Sequence, residues 1–285
     1  MSLRQSKRIK SEAGGANAAR GKVYLIGAGP GAADLITLRG ARLLAQADVV
    51  LHDALVTDEM LELCPQALKI PVGKRCGKLS TAQLFINKQL VDCAKKYALV
   101  VRLKGGDPML FGRADEELRA LELAGIAVEV VPGITTALAA AAVTKQPLTR
   151  RGVARSVAFF TSSTAPYHQQ QTTLPNCDTL VQYMGGREAA ATARNLLAQG
   201  RSPELPVIVV ENCSRPNQRI VQLNLGALER GLAQGTGPVL VMIGEAMAER
   251  VHQGSTTDAA SAHVDGEHRH HLATASRGAG IKHAA

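Results

Sequence analysis

The stretch Val100-Val101-Arg102-Leu103-Lys104-Gly105-Gly106-Asp107-Pro108 breaks a short apolar run into two glycines, an aspartate and a proline. The run has strand character, and it ends too abruptly to continue as a helix. A strand that stops this way leaves bare backbone and one carboxylate at its C-terminal end. In open α/β sheets that end is where ligands bind. Glycine admits a ligand close to the main chain, and Pro108 stiffens the exit.

A second strand of the same kind lies upstream, at Val23-Tyr24-Leu25-Ile26-Gly27-Ala28-Gly29-Pro30-Gly31, followed by a helical pattern from Leu35 to Ala47. Read as Gly27-x-Gly29-x-x-Ala32, with Asp53 after the next strand, it also fits a dinucleotide fingerprint. Pro30 opposes that reading, because it removes an amide donor where a pyrophosphate needs one. One glycine fingerprint is a weak signal; two glycine-rich strand ends in one domain are a stronger one.

The surrounding sequence alternates strands and helices. Strands are expected at Val49–Leu51, Leu99–Leu103 and Ala127–Val131, with a short apolar piece at Leu68–Val72. Helices are expected at Asp58–Leu63, Ser80–Lys95 and Glu116–Ala124, the second of them capped by Ser80 or Thr81. Such alternation implies a parallel or mostly parallel sheet. Pro132-Gly133 interrupts the pattern, and Thr135–Val143 reads as a small-residue helix packed closely against its neighbour. Beyond Pro147 a second α/β unit follows. Its strands are expected at Val153–Phe160, Thr179–Tyr183, Val207–Val210 and Val239–Ile243, and its helices at Arg187–Gln199 and Ala227–Gly231. The expected organisation is a basic tail at 1–21, an N-terminal α/β domain at 22–133, a C-terminal α/β domain at 134–250 and a histidine-rich tail at 251–285. Both tails read as disordered.

Composition narrows the function. The 285 residues are 46% hydrophobic, enough for a sizeable core, but only 3% aromatic with no tryptophan. A base-stacking platform for nucleic acid therefore has little to build on. No apolar run reaches the length of a membrane span, and the N-terminus lacks a signal-peptide core. The five cysteines (Cys64, Cys76, Cys93, Cys177, Cys213) are odd in number and form no C-x-x-C pair. They read as reduced thiols of a cytoplasmic protein, with neither a disulfide frame nor a metal site. Of the formal net charge of +9, residues 1–22 supply +5, from six basic residues against Glu12 alone. The body is only mildly basic, so neither nucleic acid nor membrane is expected as a partner, and an anionic small molecule suits it better.

Taken together, these motifs resemble the tetrapyrrole methylases. The matching segments are Gly27 to Gly31, Ala47 to Val50 leading to Asp53-Ala54-Leu55-Val56, Val72-Gly73-Lys74-Arg75, and Val101 to Pro108. They continue through Phe111-Gly112-Arg113, Glu116-Glu117, Val131 to Thr135, Pro147-Leu148-Thr149, Tyr183-Met184-Gly185 and Pro206-Val207 to Glu211-Asn212. The resemblance runs in order over roughly residues 22–248.

The resemblance implies two α/β domains with S-adenosylmethionine in the cleft between them, and a homodimer. It further implies methylation of uroporphyrinogen III at carbons 2 and 7 to give precorrin-2, a precursor of siroheme, cobalamin and haem d1, with S-adenosylhomocysteine as by-product. The family pattern puts the cofactor against Pro30, Gly105, Gly106, Asp107, Leu110, Thr135, Thr136, Met184 and Cys213. It makes Asp53 a proton acceptor and Lys74 a proton donor. Arg113 adjoins the Gly-Gly-Asp-Pro loop and is a third candidate for the chemistry. A tetrapyrrole with eight carboxylates calls for arginine forks, and the candidates are Arg113, Arg150 and Arg151, with Glu116 orienting Arg113. No dehydrogenase–chelatase segment is apparent, so a stand-alone methyltransferase is expected. The chain departs from the usual family pattern at His52, Leu79, Met109, Ala114-Asp115, Arg150 and Cys213. Two other readings stay open: a methylase of the same fold acting on a later corrin intermediate, and a dinucleotide-dependent oxidoreductase using Gly27 to Ala32 with Asp53.

Overall fold

The computed structural model describes residues 21–73, 79–162, 174–233, 235 and 237–248. These fall in one compact unit ending at Ala248. Both tails, Lys74, Arg75 and Cys76 lie outside the described residues.

The first half of the chain builds one wholly parallel sheet. Its strands are β1 (Lys22–Gly27), β2 (Val49–His52), β3 (Leu68–Pro71), β4 (Leu99–Lys104) and β5 (Val128–Val131), in the spatial order β3-β2-β4-β1-β5. Helices α1 (Leu38–Leu44) and α2 (Asp58–Leu61) cover one face, where Leu44 and Met60 pack on Ile26, Val50, Val101 and Leu103. Helices α3 (Leu79–Lys96) and α4 (Ala114–Leu123) cover the other, where Leu90, Ala94 and Leu121 pack on Val23, Leu25, Val49 and Val100. Burial on both faces explains the continuous apolar runs of β1, β2 and β4.

The second half builds a mixed sheet from β6 (Val157–Thr161), β7 (Thr179–Tyr183), β8 (Pro206–Glu211), β9 (Arg219–Asn224) and β10 (Val239–Ile243), ordered β6-β7-β10-β8-β9. Only β6 and β7 run parallel; β10 and β9 are antiparallel to their neighbours. Helix α5 (Thr136–Thr144) lays Ala137, Ala139 and Ala140 on one face of this sheet. Helices α6 (Ala189–Ala198) and α7 (Leu225–Glu229) cover the other. The alanines of α5 have no bulk to hold the backbone away, which is why that helix packs closely.

Four sequence expectations shift. The helix after the first glycine motif starts at Leu38, with Thr37 as its cap, because a short 3-10 turn takes Ala33–Leu35. Leu79 already begins α3, so Ser80 and Thr81 fall in its first turn and not ahead of it. The strand expected from Val153 starts at Val157, because Arg150 and Ala154 pair in a tight turn first. Strand β9 was not foreseen: Arg219, Ile220, Val221 and Gln222 on this edge strand are exposed, so neither face carries a buried apolar pattern.

Candidate functional site

Three strand ends converge where the first sheet meets the second. Gly27 at the end of β1 lies beside Lys104 at the end of β4, and Ile26 beside Val131 at the end of β5. The loops beyond them touch through glycine backbone. Gly29 N–H donates to Gly106 O at 3.1 Å, and Gly106 N–H returns a bond to Gly29 O at 2.7 Å. A Cβ on Gly27 would stand 2.5 Å from Gly133 Cα, so the main chains meet at a distance no other residue allows. The result is a floor without side chains at the carboxyl edge of the parallel sheet.

Above this floor opens a cavity of about 1340 Å³. All nine residues expected to face the cofactor line it: Pro30, Gly105, Gly106, Asp107, Leu110, Thr135, Thr136, Met184 and Cys213. Asp53 lines it as well, together with Phe111, Tyr183 and Arg215. Arg113, Glu116, Arg150 and Arg151 are not among the lining residues. Lys74 lies outside the described residues.

Asp107 organises the floor. Its Oδ1 accepts from Met109 N–H at 2.8 Å and its Oδ2 from Gly133 N–H at 2.9 Å. The carboxylate therefore ties the β4 loop to the β5 loop, besides offering its remaining lone pairs to the cavity.

Tyr183 shapes the wall opposite. Ala137 N–H donates to the phenol oxygen at 3.2 Å, and that oxygen lies 2.6 Å from Thr135 Oγ1. A phenol that accepts from Ala137 best completes its pattern by donating to Thr135. Thr135 then keeps its own hydroxyl proton for another acceptor. Burial pushes the Tyr183 phenol above its ordinary pKa, against the opposing pull of these two hydrogen bonds. Phe111 packs on the ring at 5.0 Å between centroids, and Phe159 at 6.0 Å.

Beneath Asp53 sits a buried charge cluster. Arg102 and Lys104, alternate residues of β4, point to the α3/α4 face and are 2% and 3% exposed. Arg102 Nη2 donates to Asp53 Oδ1 at 2.5 Å, and its Nε to Glu117 Oε1 at 2.9 Å. Lys104 Nζ donates to both oxygens of Glu117 at 3.1 and 3.0 Å. Burial drives the Lys104 ammonium below its ordinary pKa, helped by neighbouring Arg102 and opposed by Glu117. Burial acts on Arg102 too, but Asp53 and Glu117 outweigh it and the guanidinium is held above its ordinary value.

Arg113 caps α4 in the left-handed region and grips Glu116 with two bonds, Nε to Oε1 at 2.7 Å and Nη2 to Oε2 at 2.8 Å. Phe111, Arg113, Met184, Asn212 and Ser214 all have φ between 51° and 59°. Each such residue costs about 1–2 kcal/mol. Phe111 and Met184 line the cavity and Arg113, Asn212 and Ser214 adjoin lining residues, whereas Lys145, at φ 54°, ends α5 outside it. Across the cavity mouth, Ala32 N–H donates to Ser214 Oγ at 3.1 Å and Arg215 Nη2 to Leu55 O at 2.7 Å.

Sequence reasoning did not assign roles to Tyr183, Arg102 or Lys104. For the two cations a signal was present: alternate charged residues inside an apolar strand that the sheet buries on both faces.

The dinucleotide reading loses its footing here. In that fold the glycine loop opens directly into a helix whose N–H groups receive the pyrophosphate. Helix α1 instead begins at Leu38, and its Gly40 N–H is taken by Thr37 Oγ1 at 3.1 Å.

The family model for Tetrapyrrole (Corrin/Porphyrin) Methylases matches residues 22–229. Siroheme synthase 2 of Yersinia pestis is 45% identical over 235 residues, covering 81% of this chain and 50% of that protein. Siroheme synthase of Zymomonas mobilis is 43% identical over 238 residues, covering 80% and 50%. The chain thus spans about half the length of the curated relatives it matches. Among solved structures, the uroporphyrin-III C-methyl transferase of Thermus thermophilus complexed with S-adenosylhomocysteine superposes with a TM-score of 0.68 at 39% identity, covering 79% of this chain and 93% of that one. A cobalt precorrin-4 methyltransferase superposes with a TM-score of 0.67 at 27% identity, covering 80% and 96%. With the family model matched over most of its length, the chain belongs to the tetrapyrrole methylases.

Proposed function

We propose that the chain methylates uroporphyrinogen III at carbons 2 and 7, with S-adenosylmethionine as donor, to give precorrin-2. The observation that carries this reading is the cavity in which a floor of bare glycine backbone meets the carboxylate of Asp53. The floor fits a ligand laid on main chain: a Cβ on Gly106, at φ 70°, would have nothing within 4 Å. The volume suits a nucleoside cofactor together with a macrocycle.

When bound, S-adenosylmethionine supplies a methyl carbon made electrophilic by its sulfonium. In this reading Gly105, Gly106 and Pro30 hold it on the floor, Met184, Leu110 and Cys213 wall it, and Asp107, Thr135 and Thr136 meet its polar groups. The chain gains rate mainly by aligning acceptor carbon and methyl group. Methylation of a ring carbon leaves the macrocycle positively charged. Asp53 accepts the proton whose loss restores it, the bonding pair staying in the ring. Lys74 is assigned as proton donor. Arg113, Arg150 and Arg151 are assigned to the substrate carboxylates, with Glu116 orienting Arg113. The working form is proposed to be a cytoplasmic homodimer, which a solution mass measurement against the 30.0 kDa chain tests.

The deciding experiment is calorimetric titration with S-adenosylhomocysteine, with NAD(P)⁺ as control, followed by incubation with uroporphyrinogen III and S-adenosylmethionine. Micromolar binding of the homocysteine compound alone, and a mass gain of two methyl groups in the tetrapyrrole, are expected. Dinucleotide binding overturns the cofactor assignment. Methylation of later corrin intermediates only overturns the acceptor.

A further inference from the structure

We propose that Arg102 is a positioning residue that aims the Asp53 carboxylate into the cavity, itself locked in place by Glu117. The inference rests on the reading of Asp53 as proton acceptor. Asp53 follows β2 in a loop, and its side chain is 29% exposed, so its own backbone does not fix its rotamer. Arg102 sits on the central strand β4, with a side chain only 3% exposed. It reaches Asp53 through one nitrogen, Nη2, and grips one oxygen, Oδ1, at 2.5 Å. Among the described residues no hydrogen bond is made to Oδ2, the oxygen left for a substrate proton. The remaining guanidinium nitrogens are anchored to the scaffold. Nε binds Glu117, and Nη1 binds the carbonyls of Leu51 and Leu103 at 3.4 and 3.1 Å.

Arginine, and not lysine, suits this place. Its planar fork serves a carboxylate on each side while holding one plane. A buried cation that only balanced Glu117 would be redundant, because Lys104 already gives that carboxylate two hydrogen bonds. What Arg102 adds is the reach to Asp53. Lys104 also keeps Glu117 compensated if Arg102 is removed, so the fold has a means to survive the substitution.

The test compares Arg102→Gln, Arg102→Lys and Asp53→Asn, singly and combined, by steady-state kinetics of precorrin-2 formation and by calorimetry with S-adenosylhomocysteine. Arg102→Gln is expected to lower kcat by about 10- to 100-fold, the cost of a displaced catalytic group. KM and S-adenosylhomocysteine affinity are expected to stay near wild type, and Arg102→Lys to recover part of the loss. In the Asp53→Asn background Arg102→Gln is expected to have no further effect. If Arg102→Gln fails to bind S-adenosylhomocysteine, Glu117→Gln takes its place. That variant keeps the Arg102–Asp53 contact, and a smaller kcat loss, absent on Asp53→Asn, is expected. Wild-type kcat in Arg102→Gln, or losses that multiply in the double variant, overturns the inference. Full activity of Asp53→Asn instead overturns the underlying reading of Asp53.

Discussion

Asp107 Oδ2 accepts the Gly133 N–H at 2.9 Å, and this one bond joins two loops that are 26 residues apart in sequence. The cavity floor depends on it, because Gly133 must stay against Gly27 and Gly106. Asp107→Ala is therefore expected to raise the dissociation constant for S-adenosylhomocysteine by about tenfold. The unpaired, partly buried Gly133 amide would cost about 1–3 kcal/mol in stability, whereas the exposed Met109 amide turns to water. Asp107→Asn keeps one acceptor for these two donors and is expected to fall between. Calorimetry and thermal melts measure both; unchanged affinity in the alanine variant would refute the role.

Gly106 and Gly133 separate folding from binding. A Cβ on Gly133 would run into Gly106 O and stand 2.7 Å from Gly27 Cα, both unyielding backbone. Gly133→Ala is expected to destabilise the protein by more than about 3 kcal/mol, the range of overpacking and backbone strain combined. A Cβ on Gly106 meets nothing within 4 Å, and only its φ of 70° opposes alanine. Gly106→Ala is expected to cost about 1–2 kcal/mol in stability yet to lose most S-adenosylhomocysteine binding, since its methyl group would occupy the floor. A Gly106→Ala protein that binds normally would show that the ligand does not lie on that backbone.

The sequence made the parallel sheet legible because β1, β2 and β4 are buried on both faces, and β1 and β4 break into glycine at their ends. Gly105, Gly106 and Asp107 could be read for the same reason: backbone needs leave a residue-type signature. The second sheet was only partly legible. Edge strand β9 shows no alternation to read, and Arg150 and Ala154 pair in a turn that delays β6 to Val157. The charge cluster of Arg102, Lys104 and Glu117 was half legible: the two cations stand at alternate positions of an apolar strand, but their shared carboxylate could not be read. Glu117 lies on α4, 15 residues from Arg102 and 13 from Lys104 on β4, and pairing across a strand–helix interface leaves no local pattern that names the partner.

Arg113 and Glu116 form a two-bond pair outside the cavity lining, with side chains 42% and 45% exposed. Exposed pairs of this kind contribute about 0–1 kcal/mol, so neither partner is needed for folding. Arg113→Ala is expected to leave the melting temperature and S-adenosylhomocysteine affinity nearly unchanged. It is expected to raise KM for uroporphyrinogen III by about tenfold or more, the value of a charge-assisted carboxylate contact. Glu116→Gln is expected to act in the same direction but less, because it loosens the guanidinium without removing it. Parallel loss of cofactor binding in Arg113→Ala would contradict a substrate role.

Cys213 offers a test through pH. Burial raises its thiol from the ordinary 9.0 to about 11, only partly offset by the Ser214 amide. The folded state therefore holds the proton more tightly than the unfolded chain does. Between those two values the unfolded chain binds fewer protons, so stability falls as pH rises. The stabilisation is complete below pH 9 and gone by about pH 11. A difference of that size between the folded and unfolded thiol corresponds to roughly 2–3 kcal/mol. Thermal melts of wild type and Cys213→Ala are expected to run parallel from pH 7 to 8.5 and to converge or cross toward pH 11, as wild type alone loses this contribution. A constant gap across the range would place the thiol in a solvated setting and remove Cys213 from the wall of the cavity. The same burial makes the thiol a poor nucleophile at neutral pH. Slow alkylation by iodoacetamide, slowed further by S-adenosylhomocysteine, is the expected companion result.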